Sequence, residues 1–232
     1  MGSRITYILL IIISLGLYSC QDLLQKKIQE ETNSLGTLLE YSDSSFVKES
    51  DFVNIDIKFP VISGKDNKYI NTEIEKYIEK ILTDYEGESL KEIEEIVKNS
   101  SSKIKYEEKL SYKIFKDSLF LSIVFNRYSY THGAHGNTFY QTINVDLSHK
   151  KIVNLKETLE LLGTDFVTLN DIIPDYYTNT DNCFSIDPYL SDSVANFAID
   201  KNNLLIYYAP YELGAYVCGD YVLSLPLLNK NN

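Results

Sequence analysis

The chain is poor in positive charge: 22 Lys and Arg stand against 33 Asp and Glu, for a net charge of −11. Nucleic acid and anionic lipid surfaces both demand a basic footprint, so neither fits as a partner. Cysteine is nearly as sparse, with three residues, Cys20, Cys183 and Cys218. Familiar catalytic signatures are missing as well. No G-x-S-x-G nucleophile elbow and no phosphate-cradling glycine loop occurs, which argues against a serine hydrolase and a nucleotide-binding enzyme. Internal repeats and long low-complexity linkers are also absent, which leaves an ordinary folded chain of one large domain or two small ones.

What is present begins with an address. Met1–Arg4 carry positive charge, and Ile5–Leu17 are apolar around Leu9, Leu10, Ile11, Ile12 and Ile13. That run is shorter than the roughly 20 residues a permanent membrane helix needs. It ends in Leu17-Tyr18-Ser19-Cys20, a pattern that resembles a lipobox. Residues 1–19 are therefore read as a lipoprotein signal peptide and Cys20 as the lipidated residue, with residues 20–50 as tether. Cleavage removes one basic and no acidic residue, so the mature charge becomes −12. More than one acyl chain on Cys20 holds a protein firmly at a membrane, whereas a single chain binds marginally. The protein is thus expected in the bacterial cell envelope, outside the cytoplasm.

There Cys183 and Cys218 can oxidise. They are read as one disulfide closing a loop of about 35 residues, worth about 3–4 kcal/mol in the loop-entropy model; the alternative is two buried thiols.

Hydrophobic periodicity sets the elements. Val53, Ile55, Ile57 and Phe59 alternate with polar residues and predict a strand stopped by Pro60. Ile70, Ile74, Ile78, Ile81 and Leu82 recur at helical spacing, and a second acidic helix is predicted around Leu90, Ile93, Ile96 and Val97. Leu110–Ile114 and Leu119–Phe125 predict a hairpin turned at Lys116–Ser118, followed by a glycine-containing loop at 131–137 and a strand through Ile143, Val145 and Leu147. Short helices are predicted at 155–162 and 165–173, an irregular insertion at 174–193, and strands near 194–200, 203–210 and 217–227. Strands with helices grouped between them indicate α+β: antiparallel sheets with helices packed on them. The chain is divided accordingly into an N-terminal strand–helix module, 51–105, and a C-terminal α+β module, 106–232.

His132 and His135 form an H-x-x-H pair near Asp146 and His149. The pair sits in a loop flanked by Gly133 and Gly136, with no Glu between the histidines, so it is read as structural and not as a zinc site, with His135 hydrogen-bonding across the loop. No metal and no cofactor is expected. Glu107, Glu108 and Asp117 offer carboxylates, but with 33 acidic residues their presence decides nothing. Tyr128, Tyr130, Tyr140, Tyr207, Tyr208, Tyr211, Tyr216 and Tyr221 crowd the strand regions, either filling the margins of the core or furnishing a protein or glycan interface.

Three stretches carry a resemblance: Val53–Pro60 followed by Asn67–Asn71; Tyr128–Gly136 leading into Asn144–Leu147; and Leu204–Pro226 with its Pro210-Tyr211-Glu212 segment and Gly219. Together they resemble the extracytoplasmic domain family of the lysozyme-sensing anti-sigma factor RsiV, a module pair also present in a peptidoglycan deacetylase and in many lipoproteins of unknown function. The resemblance implies an RsiV-ectodomain-like fold in which Gly133, Ala134, His135, Gly136, Pro210, Tyr211, Glu212, Gly219 and Pro226 are structural motif residues. His132 and Cys218 depart from the family pattern, standing where small residues are usual. The sigma-binding segment, the transmembrane helix and the deacetylase catalytic domain are not found. The expectation is therefore a membrane-anchored binding domain, not an enzyme, whose partner is a cationic protein such as lysozyme. The rival readings are a peptidoglycan-binding accessory protein and, more remotely, a hydrolase using His135.

Overall fold

Val53, Ile55 and Ile57 are buried on one face of a strand, with Asn54 and Asp56 half-buried on the other, as their alternation requires. The computed structural model describes residues 39–86, 95, 98–99, 105–131 and 133–227. The signal peptide, Cys20, the tether up to residue 38, His132 and most of the second acidic helix lie outside the described residues. Among the described residues, no helix is long and apolar enough to cross a membrane.

Six strands form the larger sheet in the order β1 (Tyr41–Glu49), β2 (Val53–Ile62), β3 (Tyr106–Lys116), β4 (Phe120–Tyr130), β5 (Asn137–Asp146) and β6 (Lys151–Ile152). A smaller sheet holds β7 (Phe197–Asp200), β8 (Asn203–Tyr208) and β9 (Tyr221–Pro226). The helices are α1 (Lys68–Glu86), α2 (Leu155–Leu161) and α3 (Phe166–Tyr176). This is the α+β architecture expected. Among the described strands all pairings are antiparallel except β2 with β3, which is parallel over Val53–Ile57 because α1 lies in the connection and returns the chain to the same end. From Glu40 onward the contacts form one unit, and the large sheet runs across residue 105, so the stretches 51–105 and 106–232 share it.

Two details of the N-terminal part differ from expectation. Residues 41–49, read as tether, form the edge strand β1, paired with β2 from Tyr41↔Ile62 to Glu49↔Asn54. Pro60 does not stop β2, which continues to Ile62. Beyond Ile57 the strand has left β3, so the side to which Pro60 lacks an N–H has no strand to pair with. The end of β2 is closed by α1 instead. Asn71 accepts the Ile62 N–H at 2.8 Å and donates to the Ile62 carbonyl at 2.8 Å, standing in for the missing strand. Asn71→Ala leaves both groups of the buried Ile62 without their partner. A loss of about 1–3 kcal/mol per group is expected in urea unfolding, with Asn71→Asp intermediate.

α1 buries Ile70, Ile74, Ile78 and Ile81 against the sheet, and its Tyr77 ring meets Phe125 of β4 at 5.2 Å. The other face of β4 and β5 carries Phe120, Ser122, Val124, Thr142 and Asn144, and the small sheet packs there. Phe120, Leu155, Leu159, Phe197, Leu204 and Leu223 belong to the core between these layers. Each such side chain, fully buried, contributes about 1.5–3 kcal/mol. Polar groups fix the register. Ser122 accepts the Ile199 N–H at 2.9 Å, Thr142 the Phe197 N–H at 3.2 Å, and Asn144 donates to the Phe197 carbonyl at 2.9 Å. The free edge of β7 is thereby satisfied by side chains projecting from the larger sheet. α2 opens with a capping box, Asn154 with Glu157. α3 runs on through Pro174 to Tyr176, past the end expected at residue 173.

Candidate functional site

The hairpin between β4 and β5 and the segment after β8 meet at one end of the sheets. Ala209–Glu212 is a tight turn: the Glu212 N–H donates to the Ala209 carbonyl at 3.1 Å, and the Glu212 carboxylate reaches back to accept the Ala209 N–H at 2.7 Å. Pro210 occupies the second position, where its fixed φ fits, and Tyr211 the third with φ of 78°. A positive φ costs a tyrosine where it costs a glycine little, and here proline before and the carboxylate clasp after hold it. The turn presents the Tyr211 ring to solvent, 59% exposed. Tyr211 was read as a structural motif residue, and its backbone shapes this turn.

His135 lies beneath it. Its Nδ1 is 3.0 Å from the Gly136 carbonyl, which can only accept, so the proton sits on Nδ1 and Nε2 accepts from the Tyr211 hydroxyl at 3.2 Å. The imidazole stacks on Tyr216 at 3.6 Å and 16°, and the Tyr216 hydroxyl donates to the same Gly136 carbonyl at 2.8 Å. Tyr211 and Tyr216 are 5.6 Å apart. A Cβ at Gly136 would fall 2.3 Å from the Tyr128 ring, which would have to swing aside. Gly133 accepts from the Tyr130 hydroxyl at 3.1 Å, and Ala134 is exposed. Gly219, with φ of 74°, ends the short 3-10 helix Tyr216–Cys218. Pro226 closes β9 opposite Asn203.

A disulfide joins Cys183 to Cys218, Cα atoms 5.6 Å apart, and so fastens the 3-10 helix bearing Tyr216 to the insertion after α3. Beside it Phe184 bridges Gly214, where a Cβ would meet the Cys183 carbonyl at 2.9 Å. Nearby, the Tyr140 hydroxyl donates to Asp220 and its ring lies 5.1 Å from Tyr207. Burial, then the Asp220 charge, pushes the Tyr140 hydroxyl well above its ordinary range.

Asp146 and His149 bond to each other and not to His135. Asp146 is spent elsewhere, accepting the backbone N–H groups of Ser148 and His149 at 2.9 and 3.0 Å and facing the His149 ring at 2.6 Å. Burial pushes the Asp146 carboxyl up, but the bonds from His149 and Ser148 overcome it and hold the group below its usual value. Among the described residues, no three His, Cys, Asp or Glu side chains gather as a metal site would require. Of the carboxylates named from sequence, Asp117 caps the β3–β4 turn through the Leu119 and Phe120 N–H groups, both at 2.7 Å, and Glu107 pairs with Lys109. Glu108 is fully buried and holds Arg127. The His135–Tyr211–Tyr216 group thus offers stacking area, phenolic hydroxyls and nearby acid. Sequence singled out its members but not their meeting, because they lie about 75–80 residues apart.

Residues 46–138 match the family described as Deacetylase PdaC, and residues 167–227 the family described as Protein of unknown function (DUF3298). The chain pairs a PdaC-like stretch with a DUF3298-like one. The platform is built where the two meet: His135 and Gly136 come from the first, Tyr211 and Tyr216 from the second. Among solved structures, a DUF3298 family member from Bacteroides fragilis NCTC 9343 superposes with a TM-score of 0.53 at 20% identity, covering 82% of this chain and 90% of that one. A DUF3298 family protein from Pseudomonas aeruginosa PAO1 gives 0.55 at 14% identity, covering 83% and 92%. Identities this low carry the fold alone. No curated protein matches the chain in sequence.

Proposed function

We propose that the chain is a lipid-anchored envelope protein, attached through Cys20, that works by binding rather than catalysis, and that the His135–Tyr211–Tyr216 platform is its recognition surface for a cationic protein such as a lysozyme. The observation that carries this reading is Tyr211, held exposed on a positive-φ turn with its hydroxyl on His135. Strained, solvent-facing aromatics concentrate at recognition sites. Exposed Glu212 and Asp220 flank the platform, and the net charge of −11 steers a basic partner toward it. The RsiV-like resemblance supports the same partner class.

The test is association of the purified chain with a basic lysozyme across a salt series. Binding is expected to weaken steeply as the screening length falls to about 8 Å near physiological ionic strength. Tyr211→Ala is expected to cost about 2 kcal/mol or more of binding, roughly thirtyfold, with the unfolding midpoint unchanged. No association at low salt removes the lysozyme reading. The stacked aromatics favour one second reading, an envelope glycan: binding to insoluble peptidoglycan that ignores salt yet is lost in Tyr211→Ala would assign the platform to sugar rings.

A further inference from the structure

The larger sheet is split. β2 and β3 pair only to Ile57↔Leu110, after which β2 turns toward β1 and α1 while β3 continues to Lys116. The parting strands enclose a cleft of about 460 Å³, with Tyr41, Asp43 and Lys58 on one wall and five consecutive β3 residues, 111–115, on the other. Backbone direction follows from the ends of β3. The Tyr106 N–H donates to Phe52, on the β2 side, and the Asp117 N–H to Phe120, on the β4 side. Even-numbered residues therefore face the gap, and Tyr112 and Ile114 direct both N–H and C=O into it. Among the described residues, no strand pairs with them there.

We propose that this edge receives an extended acidic peptide as an added strand, hydrogen-bonded to Tyr112 and Ile114, at a site separate from the tyrosine platform. An open edge beside a cleft is the geometry of strand addition, in which the main chain gives affinity and alternate side chains give specificity. The register decides which side chains fit. With Ile57 level with Leu110, Lys58 falls level with Ser111, on the face that also bears Lys113. Tyr112 and Ile114 occupy the opposite face of β3; the Tyr112 ring lies 6.4 Å from Tyr41, and its hydroxyl donates to Asp43 across the cleft. An incoming strand places one set of side chains against Lys58 and Lys113 and the other against Tyr112 and Ile114. The complement alternates acidic with apolar residues. Among the described residues, Lys58 meets only Asp56, at 3.6 Å, and Lys113 has no acidic partner. A second copy of this chain is disfavoured because antiparallel pairing of two such edges opposes lysine to lysine.

The probe is a capped peptide of about ten residues alternating glutamate with valine, about the length of a long strand, with its lysine–valine counterpart as control. Titration by fluorescence anisotropy is combined with amide exchange at Tyr112 and Ile114. The glutamate peptide is expected to slow exchange at both amides and to bind at least about tenfold more tightly than the lysine peptide. Lys113→Glu, an exposed change, is expected to reverse that preference, and Tyr211→Ala to leave it intact. Unchanged exchange at saturating peptide overturns the strand-addition site. Equal binding of both peptides overturns its acidic specificity. Protection that appears with protein concentration and no peptide makes a second copy the occupant and overturns the proposal.

Discussion

Glu108→Ala is expected to cost about 3–5 kcal/mol of folding stability, the range for a buried ion pair that loses one member. Glu108 is 0% exposed and accepts from Arg127 through both nitrogens, at 2.6 and 3.1 Å, and from the Tyr106 hydroxyl at 3.0 Å. Burial works against the Arg127 charge, and Glu108 overcomes it, holding the guanidinium above its ordinary value. Burial, helped by the Glu108 charge, pushes the Tyr106 hydroxyl up to about 12. Removing the carboxylate takes the buried counter-ion from Arg127 and one acceptor from the Tyr106 hydroxyl. Glu108→Leu combined with Arg127→Met removes both charges and is expected to recover most of the loss. Urea unfolding of the single and double variants checks this. A cost below about 1 kcal/mol for Glu108→Ala shows that the pair across β3 and β4 acts as a surface pair would.

Replacing both Cys183 and Cys218 with serine is expected to lower stability by about 3–4 kcal/mol, from the freedom regained by a loop spanning 35 positions in the unfolded chain. The folded state adds a local signature. Asn179 holds Phe184 with a donor at 2.8 Å and an acceptor at 2.9 Å, so the insertion keeps its own shape near Cys183. The 3-10 helix at Tyr216–Cys218 loses its fastening. Partner binding through the Tyr216–His135 stack should therefore fall by more than the global loss explains while the protein is still folded. Equal unfolding midpoints for the variant and the oxidised protein would refute the first expectation. Full binding by the folded variant would refute the second.

The β3–β4 hairpin, β5, α1 and the closing strands were legible because apolar residues repeat at the period of each element, and the disulfide because two cysteines remained once Cys20 was read as lipidated. β1 was not: only Ser44 and Phe46 in Tyr41–Glu49 are even half-buried, so an edge strand left its pairing in the backbone and little in the pattern. Proline at position 60 normally ends a strand, and the reason it does not lies in β3 departing first. Ser122, Thr142 and Asn144 looked like the polar half of alternating strands, whereas their true partner is the backbone of β7, invisible until the sheets are stacked. His135 was visible as a loop residue. Tyr211 and Tyr216 were visible as motif tyrosines, and only the fold brings all three together.

The single parallel seam among the described strands has a consequence for how the chain reaches this state. β3, β4 and β5 are joined by short connections and can pair as soon as they exist, whereas β2 meets β3 only after residues 63–105 have been made and α1 has crossed the sheet. Loop closure over that distance is slow relative to hairpin formation. The β3–β4–β5 meander is thus the expected nucleus, and the β1–β2 hairpin, though synthesised first, docks last. In the interval Val53, Ile55 and Ile57 face water on a strand with nothing behind it. That short apolar ribbon stays uncovered until α1 and β3 arrive to pack on it.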